Sequence, residues 1–258
     1  MIIAHLARHT RTLKACSLTC RSWHTATLPH LRHTLTLGGD PHGVTHNQLG
    51  PLYRLHELGQ IHLVKEIRVR QLCGADSGGW FGPWAFTSRD LRYFSAFSNV
   101  QTLRFEKLDI YQLIPGIGRY FEHFSPTLRS ITLFKPHCTP RQLSHFLSLF
   151  SNLDDIEIWQ ADKNVPDGTI PDSELVPFST PKLRGRLRLY RFRWVETWAH
   201  LITSRNGLRF RHVDLLEVAT CVPVLLNACA ETIETLRFNA TDTSASKWFY
   251  LGSSADSG

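Results

Sequence analysis

Cys16 and Cys20 stand one helical turn apart, a spacing that could supply two thiolate ligands to a metal. No second ligand pair with zinc-like spacing accompanies them, so both are expected to pack in a core. His42 and His46 share that spacing in a loop containing Gly and Pro, without the glutamate that a zinc-protease helix places beside its first histidine. GIGRYF (116–121) has two glycines of a dinucleotide-binding turn but lacks the third, and neither a GxxxxGK(S/T) phosphate loop nor a GxSxG nucleophile elbow occurs. Asp154 and Asp155 are adjacent, and adjacent side chains of an extended segment point to opposite faces, so they cannot serve one substrate as acid and base. The expectation is a protein that is not an enzyme, with no catalytic residue, no metal and no cofactor.

A second set of residues carries recognition chemistry instead. One recurring series reads Arg68, Arg104, Thr132, Glu157, Arg188, Asp214, Arg237, and a second, two residues farther along, reads Arg70, Glu106, Phe134, Trp159, Tyr190, Leu216, Asn239. Phe134, Trp159, Tyr190 and Leu216 put large apolar groups where a solvated strand face would be polar, and aromatic rings flanked by arginine have the composition of a protein-binding hot spot. Ten residues are therefore candidate partner contacts: Arg68, Arg104, Phe134, Glu157, Trp159, Arg188, Tyr190, Asp214, Leu216 and Arg237. The alternative is that an extended loop or the carboxy-terminal tail covers the rings.

The elements that must position these residues announce themselves as a repeat. Apolar-x-x-apolar-x-apolar appears as VKEIRV (64–69), VQTLRF (100–105), LRSITL (128–133), LDDIEI (153–158), FRHVDL (210–215) and IETLRF (233–238), with LRHTLTL (31–37) and LRGRLRL (183–189) carrying one extra residue. The middle apolar positions Leu35, Ile67, Leu103, Ile131, Ile156, Leu187, Val213 and Leu236 are separated by 32, 36, 28, 25, 31, 26 and 23 residues, near the leucine-rich-repeat range. Alternation within each copy predicts a short strand with one buried and one open face.

Between the strands the apolar spacing turns helical. In TPRQLSHFLSLF, Thr139 is placed to cap, Pro140 takes the first helical position, and Leu143, Phe146, Leu147 and Phe150 fall on one stripe. Similar stripes are Leu91, Phe94, Phe97; Trp194, Trp198, Leu201, Ile202; and Val222, Leu225, Leu226, Cys229. The fold expected is α/β, a leucine-rich-repeat-like solenoid of alternating helices and parallel strands over 31–240, in which Leu103, Ile131 and Ile156 belong to one buried ladder. The insertion 71–88 reads as a long loop whose Trp80, Phe81 and Trp84 pack as a lid or offer a binding edge, and 241–258 reads as a polar tail.

Composition narrows the class. The 258 residues are 42% hydrophobic and 20% charged, ordinary globular values. The 29 basic against 22 acidic residues give +7, but Arg and Lys recur singly from Arg8 to Lys247, so the charge reads as repeat surface and not as a nucleic-acid site. Six dispersed cysteines make no disulfide framework, and no stretch approaches the ~20 apolar residues that span a bilayer, so a cytoplasmic or nuclear protein without membrane contact is expected.

Residues 1–37 behave differently, with a helical segment over 1–30: Ile2, Ile3, Leu6, Leu13, Cys16, Leu18, Cys20, Trp23, Leu28 and then Leu31 suggest two or three short helices that lead into the first strand. LKACSLTCRSW (13–23) resembles the F-box signature Leu-x-x-x-x-x-Val-Cys-(Lys/Arg)-x-Trp, LPHLRHTLTL resembles that family's exit into its first strand, and Ile2, Ile3 and Leu6 match the end of the preceding F-box helix. The Leu-Pro-x-Glu element that normally opens an F-box is not in this sequence, making the segment a partial F-box. The whole is most similar to the F-box and leucine-rich-repeat proteins common in mushroom-forming fungi. That resemblance implies a substrate receptor of a cullin-RING ubiquitin ligase, with Ile2, Ile3, Leu6, Leu13, Cys16, Leu18, Cys20 and Trp23 meeting a Skp-type adaptor and the concave repeat face holding a target protein. The rival expectations are a protein-binding repeat scaffold with no link to ubiquitin and, less favoured, an RNA-binding solenoid using Arg68, Arg104, Arg188 and Arg237. Without the resemblance, the amino-terminal helices would read as an ordinary cap with Trp23 in its core.

Overall fold

A computed structural model describes residues 2–6, 9–37, 50–70, 93–106, 121, 123–136, 138–160, 183–192, 198, 209–218 and 223–240. The expectations for 71–88 and 241–258, and those for His42, His46, Leu91, Trp194, Leu201, Ile202 and Val222, lie outside these residues. The chain begins with helices α1 (Ile2–His5), α2 (Thr10–Ser17) and α3 (Arg21–Leu31). Strand β1 (Thr34–Leu37), helix α4 (Gly50–Glu57), a 3-10 turn (Ile61–Leu63) and strands β2 (Glu66–Arg70), β3 (Thr102–Glu106) and β4 (Ser130–Phe134) follow. Then come α5 (Pro140–Ser148), β5 (Asp155–Trp159), β6 (Arg184–Tyr190), β7 (Arg209–Val218), α6 (Pro223–Cys229) and β8 (Thr235–Ala240).

All eight strands form one parallel sheet in chain order, β1 to β8. The spaced apolar residues pair with one another across every interface: Leu35 with Ile67, Ile67 with Leu103, and so on through Ile131, Ile156, Leu187 and Val213 to Leu236. Two residues later a second column, Leu37, Val69, Phe105, Leu133, Ile158, Leu189, Leu215 and Phe238, runs in the same register. Both columns point to one face, because side chains alternate along a strand. A helix joined to neighbouring parallel strands buries its apolar stripe on the face where those columns lie. Accordingly Leu52 and Leu55 of α4, Leu143, Phe146 and Leu147 of α5, and Leu225 and Cys229 of α6 belong to one core cluster with the two columns.

Local chemistry explains the clearest helix. At the start of α5, the Thr139 hydroxyl accepts from the Gln142 N–H at 3.2 Å and the Gln142 side-chain oxygen accepts from the Thr139 N–H at 2.8 Å, a reciprocal cap ahead of Pro140. Phe146 then meets Phe105 of β3 edge to face at 5.6 Å, and Phe105 meets Phe121 at 5.4 Å. Phe94 and Phe97, expected on a helical stripe, are buried in the same aromatic group with Phe124. No described helix is long and apolar enough to cross a membrane.

The pairing of β6 with β7 is irregular between Gly185 and Arg186, which face Phe210 and His212 and leave Arg211 of β7 as the extra residue of a β-bulge. Gly185 has φ +81° there, and a Cβ on it would sit 2.1 Å from the Asp154 carbonyl oxygen, so the position needs glycine for both conformation and space. At the other end of the strands, Lys135, Gln160, Arg191 and Glu217 all take left-handed backbone, with φ of 52°, 54°, 51° and 50°. The first three donate their N–H to the carbonyls of Trp159, Tyr190 and Leu216 on the next strand, at 2.8, 2.7 and 3.0 Å, so the unusual turn recurs where it continues the ladder.

Cutting Ile131 to Ala, between Leu103 and Ile156, should cost ~2–5 kcal/mol of unfolding free energy in a urea titration, and a loss under half a kilocalorie would contradict the ladder. Gly185→Ala should cost more than Gly59→Ala, because Gly59 (φ +62°) has open space around its missing Cβ and bears only the left-handed strain of ~1–2 kcal/mol. Equal losses in the two variants would show that contact with Asp154 does not matter.

Candidate functional site

The face of the sheet opposite the two apolar columns carries three rows of side chains, set by the same pleat that buries those columns. The row near the strand starts contains Glu66, Thr102, Ser130, Asp155, Arg186, His212 and Thr235. The middle row is Arg68, Arg104, Thr132, Glu157, Arg188, Asp214, Arg237, and the far row is Arg70, Glu106, Phe134, Trp159, Tyr190, Leu216, Asn239. Nine of the ten expected partner contacts are partly exposed, and Arg237 is exposed. Thr132, in the same row, is buried.

The arginines of the middle row are already matched by carboxylates. Arg68 bonds Glu66 at 2.7 Å, and Thr34 donates to the other oxygen of Glu66 at 3.0 Å. Arg188 lies between Asp155 at 3.2 Å and Glu157 at 3.4 Å. Arg70 meets Glu106 at 3.1 Å, while Arg104 reaches that carboxylate only at 3.8 Å and Arg237 reaches Asp214 only at 3.9 Å. The last two are charge contacts too long for hydrogen bonds. Exposed pairs of this kind stabilise by at most ~1 kcal/mol each, so their main effect is to leave the face nearly charge-balanced. Partial burial pushes the Glu66 carboxyl up, but the hydrogen bonds from Arg68 and Thr34, with the Arg68 charge, outweigh it and hold it below the usual value.

The far row is different. Phe134 and Trp159 lie 6.5 Å apart between ring centres, and Trp159 and Tyr190 lie 4.6 Å apart with planes inclined at 44°. Tyr190 donates its hydroxyl proton to Glu217 at 2.7 Å, and Arg191 bonds the second oxygen of Glu217 while its guanidinium sits 5.4 Å from the Tyr190 ring centre. These two hydrogen bonds hold the Glu217 carboxyl below its usual value, and the bond to Glu217 pushes the Tyr190 phenol up. Lys135 stands 5.8 Å from the centre of Phe134. The rings are thus held by neighbours on both sides while remaining partly exposed. Over β5 to β8 the rows enclose a hollow of about 430 Å³ with Trp159, Tyr190 and Leu216 on one wall and Glu157, Arg188 and Asp214 beneath.

The expected adaptor contacts are distributed unevenly over α1 to α3. Leu18 is 86% exposed, Ile3, Leu6, Cys16 and Trp23 are half-buried, Cys20 is exposed, and Ile2 lies on α1. Leu13 is buried at 1% exposure, so it packs within the α2–α3 pair and offers no surface. The expectation that both Cys16 and Cys20 pack in a core is corrected: Cys20 caps the start of α3 in extended backbone, which takes its side chain off the helical stripe and into solvent. Trp23, half-buried, is not a core residue either. Among the described residues, no three His, Cys, Asp or Glu side chains gather as a metal site.

Sequence reasoning did not single out the row near the strand starts, and it missed Glu217 as well. Arg186 and His212 stand one residue before Leu187 and Val213, so the same period would have shown them; Glu217 arises from an irregularity in the β7–β8 pairing that no spacing foretells. No family model, no curated protein and no solved structure matches this chain.

Because the folded Glu66 carboxyl titrates below its unfolded value, its stabilising effect is present above the usual glutamate range and is lost as pH falls through the folded pKa. Glu66→Gln should therefore narrow the gap between the urea midpoints at pH 7 and pH 3, and an unchanged gap would show that the Arg68 and Thr34 bonds contribute nothing.

Proposed function

We propose that this chain is a protein-recognition module, a leucine-rich-repeat-like solenoid, that serves as the substrate receptor of a cullin-RING ubiquitin ligase. The observation that carries the reading is the file of Phe134, Trp159, Tyr190 and Leu216, in register on neighbouring strands and partly exposed. Rings in this setting are the residues from which protein-binding hot spots are built. Strands in chain order, with helices sharing one core along one face, support the repeat architecture. The partial F-box resemblance, with Leu18 exposed beside the half-buried Trp23, supplies the link to an adaptor. Attachment through the amino-terminal helices and capture on the sheet face constitute the mechanism, and the transfer chemistry belongs to other subunits. The matching of Arg68, Arg188 and Arg237 by carboxylates supports a protein partner over RNA, whose phosphates would have to displace those pairs.

A scaffold unconnected to ubiquitin is the second reading, and the burial of Leu13 favours it by removing one of the expected adaptor contacts. Affinity capture of the product of the full coding sequence separates the two. The receptor reading expects adaptor and cullin subunits with the wild type, their loss with Leu18→Glu, and their retention with Trp159→Ala or Tyr190→Ala, which should instead weaken target capture about tenfold or more. Absence of both subunits from the wild-type complex would leave the scaffold reading; alanine exchanges that change neither stability nor any bound protein would remove both.

A further inference from the structure

The hollow over β5 to β8 is graded from one end to the other. Its far wall is apolar, with Trp159, Tyr190 and Leu216 in line, and its near end carries Arg186 and His212. The arginines that line it are not equivalent. Arg188 is matched by Asp155 and Glu157, and Arg237 faces Asp214, whereas Arg186 is exposed and has no carboxylate within ion-pair distance among the described residues. His212 beside it shares a hydrogen bond of 2.7 Å with the Thr235 hydroxyl and lies 4.0 Å from Glu234. A partner that buried Arg186 without offering it an anion would leave a charge unpaired, and one that lacked an apolar group would leave the ring wall wet.

Resting on the reading of this face as a protein-recognition surface, we infer that the hollow takes an extended segment of the target carrying a large apolar side chain and, four residues away, a carboxylate. The apolar group lies against Trp159 and Tyr190, and the carboxylate reaches Arg186. The spacing follows from the sheet: Arg186 and Tyr190 are four residues apart on β6, about 13 Å at strand rise, the span of four residues in an extended peptide laid along the strand. Tyr190, fixed by Glu217 and flanked by Arg191, supplies the rigid anchor, and Arg186 supplies the sign of charge that the segment must carry.

Blocked nonapeptides of Gly and Ser with Phe and Glu four residues apart, made in both chain directions, test this by fluorescence polarisation on the whole chain. The Phe/Glu probe in one direction should bind about three- to tenfold more tightly than its Phe/Lys counterpart, and exchanging Phe for Ala should weaken it about tenfold. Arg186→Glu should reverse the Glu-over-Lys preference, Arg186→Gln should abolish it, and thermal melting should stay unchanged in both because the side chain is exposed. Equal binding of Glu and Lys probes, both lost in Tyr190→Ala, would overturn the acidic specificity while leaving a protein-binding face. Binding indifferent to Arg186 and Tyr190, or no binding by any probe, would overturn the inference itself, and the capture experiment would still decide independently whether the face holds a target.

Discussion

The burial of two apolar columns against one face of a parallel sheet controls nearly every other feature of this protein. Because side chains alternate with period two, a slip of one residue at any interface would send Leu103, Ile131 and Ile156 into solvent and drive Arg104 and Glu157 into the core. The penalty is set by the apolar area at stake, so each strand is locked to its neighbour although the connections between them vary in length. Backbone hydrogen bonds repeat the same register just before the strands: His33, Lys65, Gln101 and Arg129 each offer a carbonyl to two successive N–H groups of the next strand. Gly185 marks the place where that repeat is interrupted, and only a residue without a Cβ fits against the Asp154 carbonyl.

Once register is fixed, the opposite face is fixed with it. Arginines and carboxylates from strands distant in sequence become neighbours and neutralise one another, as Arg188 does with Asp155 and Glu157. The aromatic residues of the far row, brought to adjacent strands by the same constraint, contact one another and yet remain partly exposed. The face thus pairs most of its charges internally and is apolar along one margin. The left-handed residues Lys135, Gln160 and Arg191 follow directly after these rings, so the strand end that displays the rings also carries the recurring left-handed turn.

Much of this was legible before any coordinates. The spacing of apolar-x-x-apolar-x-apolar located the strands, aligned the eight markers from Leu35 to Leu236, and placed Phe134, Trp159, Tyr190 and Leu216 in one row, because alternation is a local property that any strand expresses alone. The capped start at Thr139 and Pro140 was equally readable, since its partners lie within four residues. The cysteines were misread for the converse reason: a helical stripe was assumed to run through Cys20, and the break between α2 and α3 falls there.

By itself, then, the amino-acid sequence determined which residues alternate, where the strands lie, that a capped helix starts at Thr139, and which strand side chains share a face. Only the tertiary structure decided which arginines are matched and which, like Arg186, are not; that Leu13 is buried while Leu18 is exposed; and that Glu217 reaches back to fix Tyr190. The physical reason is range. Periodicity is written in neighbours a few positions apart, whereas charge pairing and burial depend on what the next strand, more than twenty residues away, brings alongside.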